Sequence, residues 1–86
     1  MFHRIISVRP LPEYQLAVGF ADGGTRQYDM RELIRREPAF SPLADASLFR
    51  SVRLDAGGYG LSWNDDIDIS CNELWENGVA VSRRVA

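Results

Sequence analysis

The sequence predicts a small α+β domain in two layers, a mostly antiparallel sheet of hairpins carrying two or three short helices. Three observations predict it. Apolar residues alternate with polar or small ones over residues 14–20 and 59–63, the period of a half-buried strand. Glycine-bearing turns, Ala21-Asp22-Gly23-Gly24 and Ala56-Gly57-Gly58, adjoin these runs. Capping residues Asp29, Asp45 and Ser70 each stand before a short run with helical apolar spacing.

Taken in order, Ile5-Ile6-Ser7-Val8 between Arg4 and Arg9 is β-branched and reads as a first strand that Pro10 and Pro12 close. Tyr14, Leu16, Val18 and Phe20 form the apolar face of a second strand, and Thr25 to Tyr28 returns as its hairpin partner. Asp29 with Glu32 matches a capping box for a helix whose Met30, Leu33 and Ile34 share one face and which Pro38 stops. Phe40-Ser41-Pro42-Leu43 reads as a loop plugging the core edge, and Asp45 caps one more turn through Leu48 and Phe49. Val52 and Leu54 begin a second strand pair that continues through Tyr59, Leu61 and Trp63. After the Asn64-Asp65-Asp66 turn, Ile67 and Ile69 mark a brief strand. Ser70 and Glu73 suit a last helix, carrying Leu74 and Trp75, that Gly78 ends. From about Val79 the chain is a strand end or a frayed tail, so residues 1–86 form one domain. Val18, Phe20, Gly23 and Gly24 recur 34 positions later as Val52, Leu54, Gly57 and Gly58, an echo that hairpin grammar explains as well as duplication.

Composition narrows the function classes. With 45% hydrophobic and 26% charged residues the chain is globular, and at 9.7 kDa it buries roughly 63% of its unfolded surface, enough for one thin core. A net charge of −2 argues against a general binder of nucleic acid or anionic membrane. No apolar run approaches the ~18 residues of a membrane span, and no leader segment is expected. A single cysteine forms no internal disulfide and fits a reduced, cytoplasmic setting. All ten basic residues are arginine, which excludes lysine-based chemistry.

Pro10-Leu11, the strand Tyr14-x-Leu16-x-Val18-x-Phe20, Asp22-Gly23 and Tyr28-Asp29 resemble a small bacterial family, domain-of-unknown-function family 2442. The ordered set continues through Phe40-x-Pro42-Leu43, Phe49-x-x-Val52, Gly58-x-x-Leu61-x-Trp63 and Asp68-Ile69-x-x-x-x-Leu74, covering roughly residues 4–75. The chain departs from the family pattern near Cys71, where a proline is usual, and at Trp75, where a tyrosine is. The resemblance implies a compact two-layer α+β domain with no established reaction. It also implies a protein partner, since members are suspected of belonging to two-gene toxin–antitoxin-like pairs. Longer relatives add a helix-turn-helix domain, for which no segment is expected within these 86 residues.

Few residues offer chemistry. Asp65, Asp66 and Asp68 could present carboxylates to a cation, but they lack the ladder, glycine and distal glutamate of a calcium loop and read as a solvated turn. Cys71 in the first turn of the last helix stands where a thiolate is favoured, with His3 as the available imidazole; the alternative is a small buried core residue. One imidazole and one thiol complete no zinc set, the scattered serines lack a nucleophile elbow, and the glycine pairs are too short to cradle phosphate. No metal or cofactor is expected. Arg35-Arg36 and Arg83-Arg84 are small basic spots able to hold a carboxylate or phosphate, and Trp75, near a helix end, is the aromatic best placed to anchor a partner.

Two functions therefore compete. The favoured one is a non-catalytic protein-interaction module, the antitoxin-like or accessory member of a gene pair, whose outer strands associate with another small protein or with a second copy. The alternative is a ligand-binding or enzymatic domain using Cys71 with His3, or the Asp65–Asp68 turn; it requires these groups to converge in one pocket.

Overall fold

The computed structural model describes residues 3–81. Seven strands form two antiparallel sheets instead of one. The first sheet has the order β1-β2-β3-β7, with β1 Ile5–Leu11, β2 Gln15–Phe20, β3 Thr25–Asp29 and β7 Val79–Ala80. The second has the order β4-β5-β6, with β4 Arg53–Leu54, β5 Gly60–Asn64 and β6 Ile67–Ser70. Helices α1 (Arg31–Arg36), α2 (Ala46–Arg50) and α3 (Cys71–Asn77) complete the fold, with 3-10 segments at Pro38–Ala44 and Ala56–Gly58.

Alternation places one face of β2 inside. Leu16, Val18 and Phe20 are buried while Gln15, Ala17 and Gly19 face outward. They meet Leu61, Trp63, Ile67 and Ile69 of the other sheet, together with Met30, Leu43, Phe49, Cys71 and Leu74, in a single core. Burying a side chain of this size stabilises by ~1.5–3 kcal/mol, so the shared core, and not hydrogen bonding between sheets, joins the layers. The Trp63 indole N–H donates to the Phe49 carbonyl (2.9 Å), tying β5 to α2.

Several elements differ from expectation for local reasons. β1 continues through Pro10 to Leu11; it is an edge strand, where the missing N–H removes no ladder bond. A register shift between Ile5 and Ser7 makes Ile6 a bulge residue, 56% exposed beside its buried neighbour. Tyr14 is not in β2: with Glu13 it adopts positive φ (60° and 63°) in the β1–β2 turn, and its hydroxyl donates to the Ala44 carbonyl. The Asp29–Glu32 capping box does not form. Asp29 Oδ1 does accept the Arg31 N–H (3.0 Å), but the cap position is Met30, and Glu32 turns to Arg35 and Arg36. Asp45 and Ser70 cap as expected, accepting the N–H groups of Ser47 and Glu73.

The second strand pair is shorter than its pattern. Only Arg53 and Leu54 pair with β5, and Tyr59 is 61% exposed because the chain reaches β5 through Gly57 and Gly58, both at positive φ. The 34-residue echo does not mark equivalent sites, since Phe20 is buried and Leu54 is 38% exposed. Gly58 lies where a Cβ would stand 2.3 Å from the Ile5 carbonyl oxygen, so the seam between the sheets closes on a bare backbone. Val79 and Ala80 pair with β3 as a strand; residues 82–86, including Arg83-Arg84, lie outside the described residues.

Candidate functional site

The groups that a catalytic reading requires are engaged in separate contacts. His3 stacks on the Trp75 indole, with ring centroids 3.7 Å apart and planes 9° from parallel, and its Nδ1 lies 3.0 Å from Asp22 Oδ2. Cys71 is buried in the core at the start of α3, and its N–H is taken by the Tyr59 carbonyl (2.9 Å). Imidazole and thiol share no hydrogen bond. Asp65, Asp66 and Asp68 are all exposed, and their turn is organised by Asn64, whose Oδ1 accepts the N–H groups of Asp66 (2.8 Å) and Ile67 (3.0 Å). Among the described residues no group of three or more His, Cys, Asp and Glu side chains is arranged to hold a metal ion.

The proposed contact residues are partly engaged within the molecule. Trp75 is half-buried instead of free: besides His3 it carries the Arg26 guanidinium 3.7 Å from its ring centroid and the edge of Phe20. Arg26 Nε also donates to the Trp75 carbonyl (3.1 Å), fastening α3 to β3. Gly24 makes room for the indole, since a Cβ there would approach it to 3.0 Å. The backbone N–H of Gly24, then His3, hold the Asp22 carboxyl below the usual carboxylate range. Arg35 and Arg36 are exposed, and both share Glu32 as counter-ion.

A different region is open. The outer face of the four-stranded sheet has Arg9, Ala17, Gln27 and Val79 in one row across all four strands, and Ser7, Gly19 and Thr25 in the next. Ser7, Arg9, Ala17, Gly19 and Thr25 line a shallow groove of about 430 Å³. A second groove of about 550 Å³ runs from Gln15, Gln27 and Asp29 to Val79 and Val81 at the β7 edge. Its inner wall is Tyr28, whose hydroxyl donates to Glu73 Oε2 (2.7 Å), while Glu73 Oε1 accepts from the Asn77 amide (3.0 Å). Burial, helped by that carboxylate, pushes the Tyr28 phenol well above its ordinary value. Val79 and Val81 read in the sequence as a chain end, and their apolar exposure depends on a pairing with β3 that period alone does not reveal.

A family model described as "Protein of unknown function (DUF2442)" matches residues 5–80. The chain belongs to that family. The DUF2442 match runs from the first residue of β1 to the last of β7, so the family unit includes the edge strand beyond the motifs that carried the resemblance. No curated protein and no solved structure matches the chain. No helix among the described residues is long and apolar enough to cross a membrane.

Proposed function

We propose that this DUF2442 domain is a non-catalytic protein-interaction module that docks another small protein on the outer face of its four-stranded sheet. The observation that carries the reading is the open row Arg9, Ala17, Gln27 and Val79, which crosses every strand of a sheet whose other face is core. Short side chains at Ser7, Ala17, Gly19 and Thr25 let a partner approach the sheet closely, and Arg9 with Gln27 supplies polar groups around them. The family resemblance supports a partner encoded next to the domain, which it would bind as the antitoxin-like or accessory member of a pair. Co-purification of the neighbouring gene product with the tagged domain tests the proposal. Ala17→Glu, which puts a charge in the middle of the face, should abolish the complex while leaving the fold intact. Repeated separation of the two wild-type proteins at micromolar concentration overturns it.

A further inference from the structure

The sheet edges are unequally protected. β1 is broken by the bulge at Ile6 and by Pro10. β4 is two residues long and carries Arg53, and β6 carries Asp68. These are devices that keep edge strands from pairing with other chains. β7 is as short as β4 but has none of the other devices: Val79-Ala80-Val81 contains no proline, charge or bulge, and Val79 is 69% and Val81 39% exposed.

The Val81 N–H donates to the Thr25 carbonyl (3.0 Å), Ala80 lies opposite Arg26, and Val79 opposite Gln27. Backbone direction alternates along an antiparallel ladder, so Val79 and Val81 turn their backbone groups to β3 and Ala80 turns its N–H and C=O outward. Among the described residues those two groups have no partner. The tripeptide is also a palindrome. A two-fold axis beside Ala80 brings Ala80 against Ala80 of a second copy and Val79 against the copy's Val81. Thr25 and Gln27, beside the two valines, are uncharged, and Arg26 opposite Ala80 is held on Trp75, so among these described residues no like charges meet across the axis.

We propose that β7 pairs antiparallel with β7 of a second copy across a two-fold axis at Ala80, joining two four-stranded sheets into one of eight strands. The two Ala80 residues exchange a pair of hydrogen bonds, and each Val79 packs on Val81 of the other copy. The inference rests on the reading of the domain as an interaction module and extends it: the docking face becomes continuous over both copies. The contact is small, in the range of weak interfaces that bury less than ~1,200 Å², so association depends on concentration.

Sedimentation equilibrium of the full chain up to about 1 mM tests this, with circular dichroism confirming the fold of each variant. The wild type is expected to reach twice 9.7 kDa. Ala80→Pro removes an N–H that β3 does not use and should return a folded monomer. The double substitution V79E/V81E places like charges against each other and should also give monomer, whereas V79E/V81K places opposite charges against each other and should retain the dimer. A wild type that stays monomeric throughout, or a V79E/V81E protein that dimerises as well as the wild type, overturns the inference. Ala17→Glu separates the two proposals, because it should lose the docked protein and keep the dimer.

Discussion

Gly58→Ala should be far more damaging than the same change at Gly23, and the difference measures how tightly the two sheets are joined. Both glycines have positive φ, 76° and 97°, so alanine at either pays the left-handed backbone penalty of ~1–2 kcal/mol. At Gly23 the new methyl meets nothing within 4 Å, and that penalty is the whole cost. At Gly58 the methyl stands 2.3 Å from the Ile5 carbonyl oxygen and 3.1 Å from the Ile5 nitrogen, backbone atoms of β1 that cannot rotate away. Forcing the seam apart adds the ~1–3 kcal/mol typical of overpacking, for a total of ~2–5 kcal/mol. A chain of this length has about 4–13 kcal/mol of stability in all, so Gly58→Ala leaves a marginal fold. Urea unfolding followed by tryptophan fluorescence reads both losses, and calorimetry should place the Gly58 variant roughly 5–20 °C below the Gly23 variant. Equal losses at the two positions would refute the close approach of Gly58 to β1 and with it the seam described above.

Three further outcomes are expected. Because the Tyr28 phenol is raised in the folded state, its contribution is fully present below the unfolded tyrosine value near ~10 and is lost as pH rises above it; Tyr28→Phe should flatten the alkaline fall in urea midpoint and cost ~1 kcal/mol at neutral pH. Asp22 has the opposite sign: its lowered carboxyl contributes above the unfolded aspartate value near ~3.9 and is lost as pH falls through the folded one, so Asp22→Asn should make the acid limb of the stability profile shallower. Cys71, buried at 2% exposure, should resist Ellman's reagent at pH 7 until urea unfolds the chain, and complete reaction of the native protein within a minute would show the thiol to be accessible after all.

Legibility in the sequence followed the range of the interactions. The β2–β3 hairpin was readable because Leu16, Val18 and Phe20 alternate and the Asp22-Gly23-Gly24 turn is chemically local: Asp22 accepts the Gly24 N–H and Gly23 takes positive φ. The caps at Asp45 and Ser70 were readable for the same reason, a side chain bonding an N–H two or three residues on. Tyr14 misled because its ring belongs with Phe49 and its hydroxyl with Ala44, distant partners that outweigh its strand-like place in the pattern. Tyr59 misled because two positive-φ glycines turn the chain just before it. For the candidate site, residue types were visible and arrangement was not. His3, the Asp22–Arg26 turn and Trp75 lie far apart in the chain, yet together they hold α3 on the sheet.

Composition and short-range pattern alone determined that this chain is a small α+β domain with paired strands, capped helices and one core, while its place in the DUF2442 family rested on a resemblance over an ordered set of motifs along the chain. Those properties depend on neighbours within a few residues and on how many apolar side chains need burial. Tertiary structure decided that the strands divide into two sheets, that Trp75 is clasped by His3 and Arg26, and that Val79 and Val81 are exposed at the β7 rim. Which face meets solvent depends on the packing of segments tens of residues apart, and a periodic string carries no record of that distance.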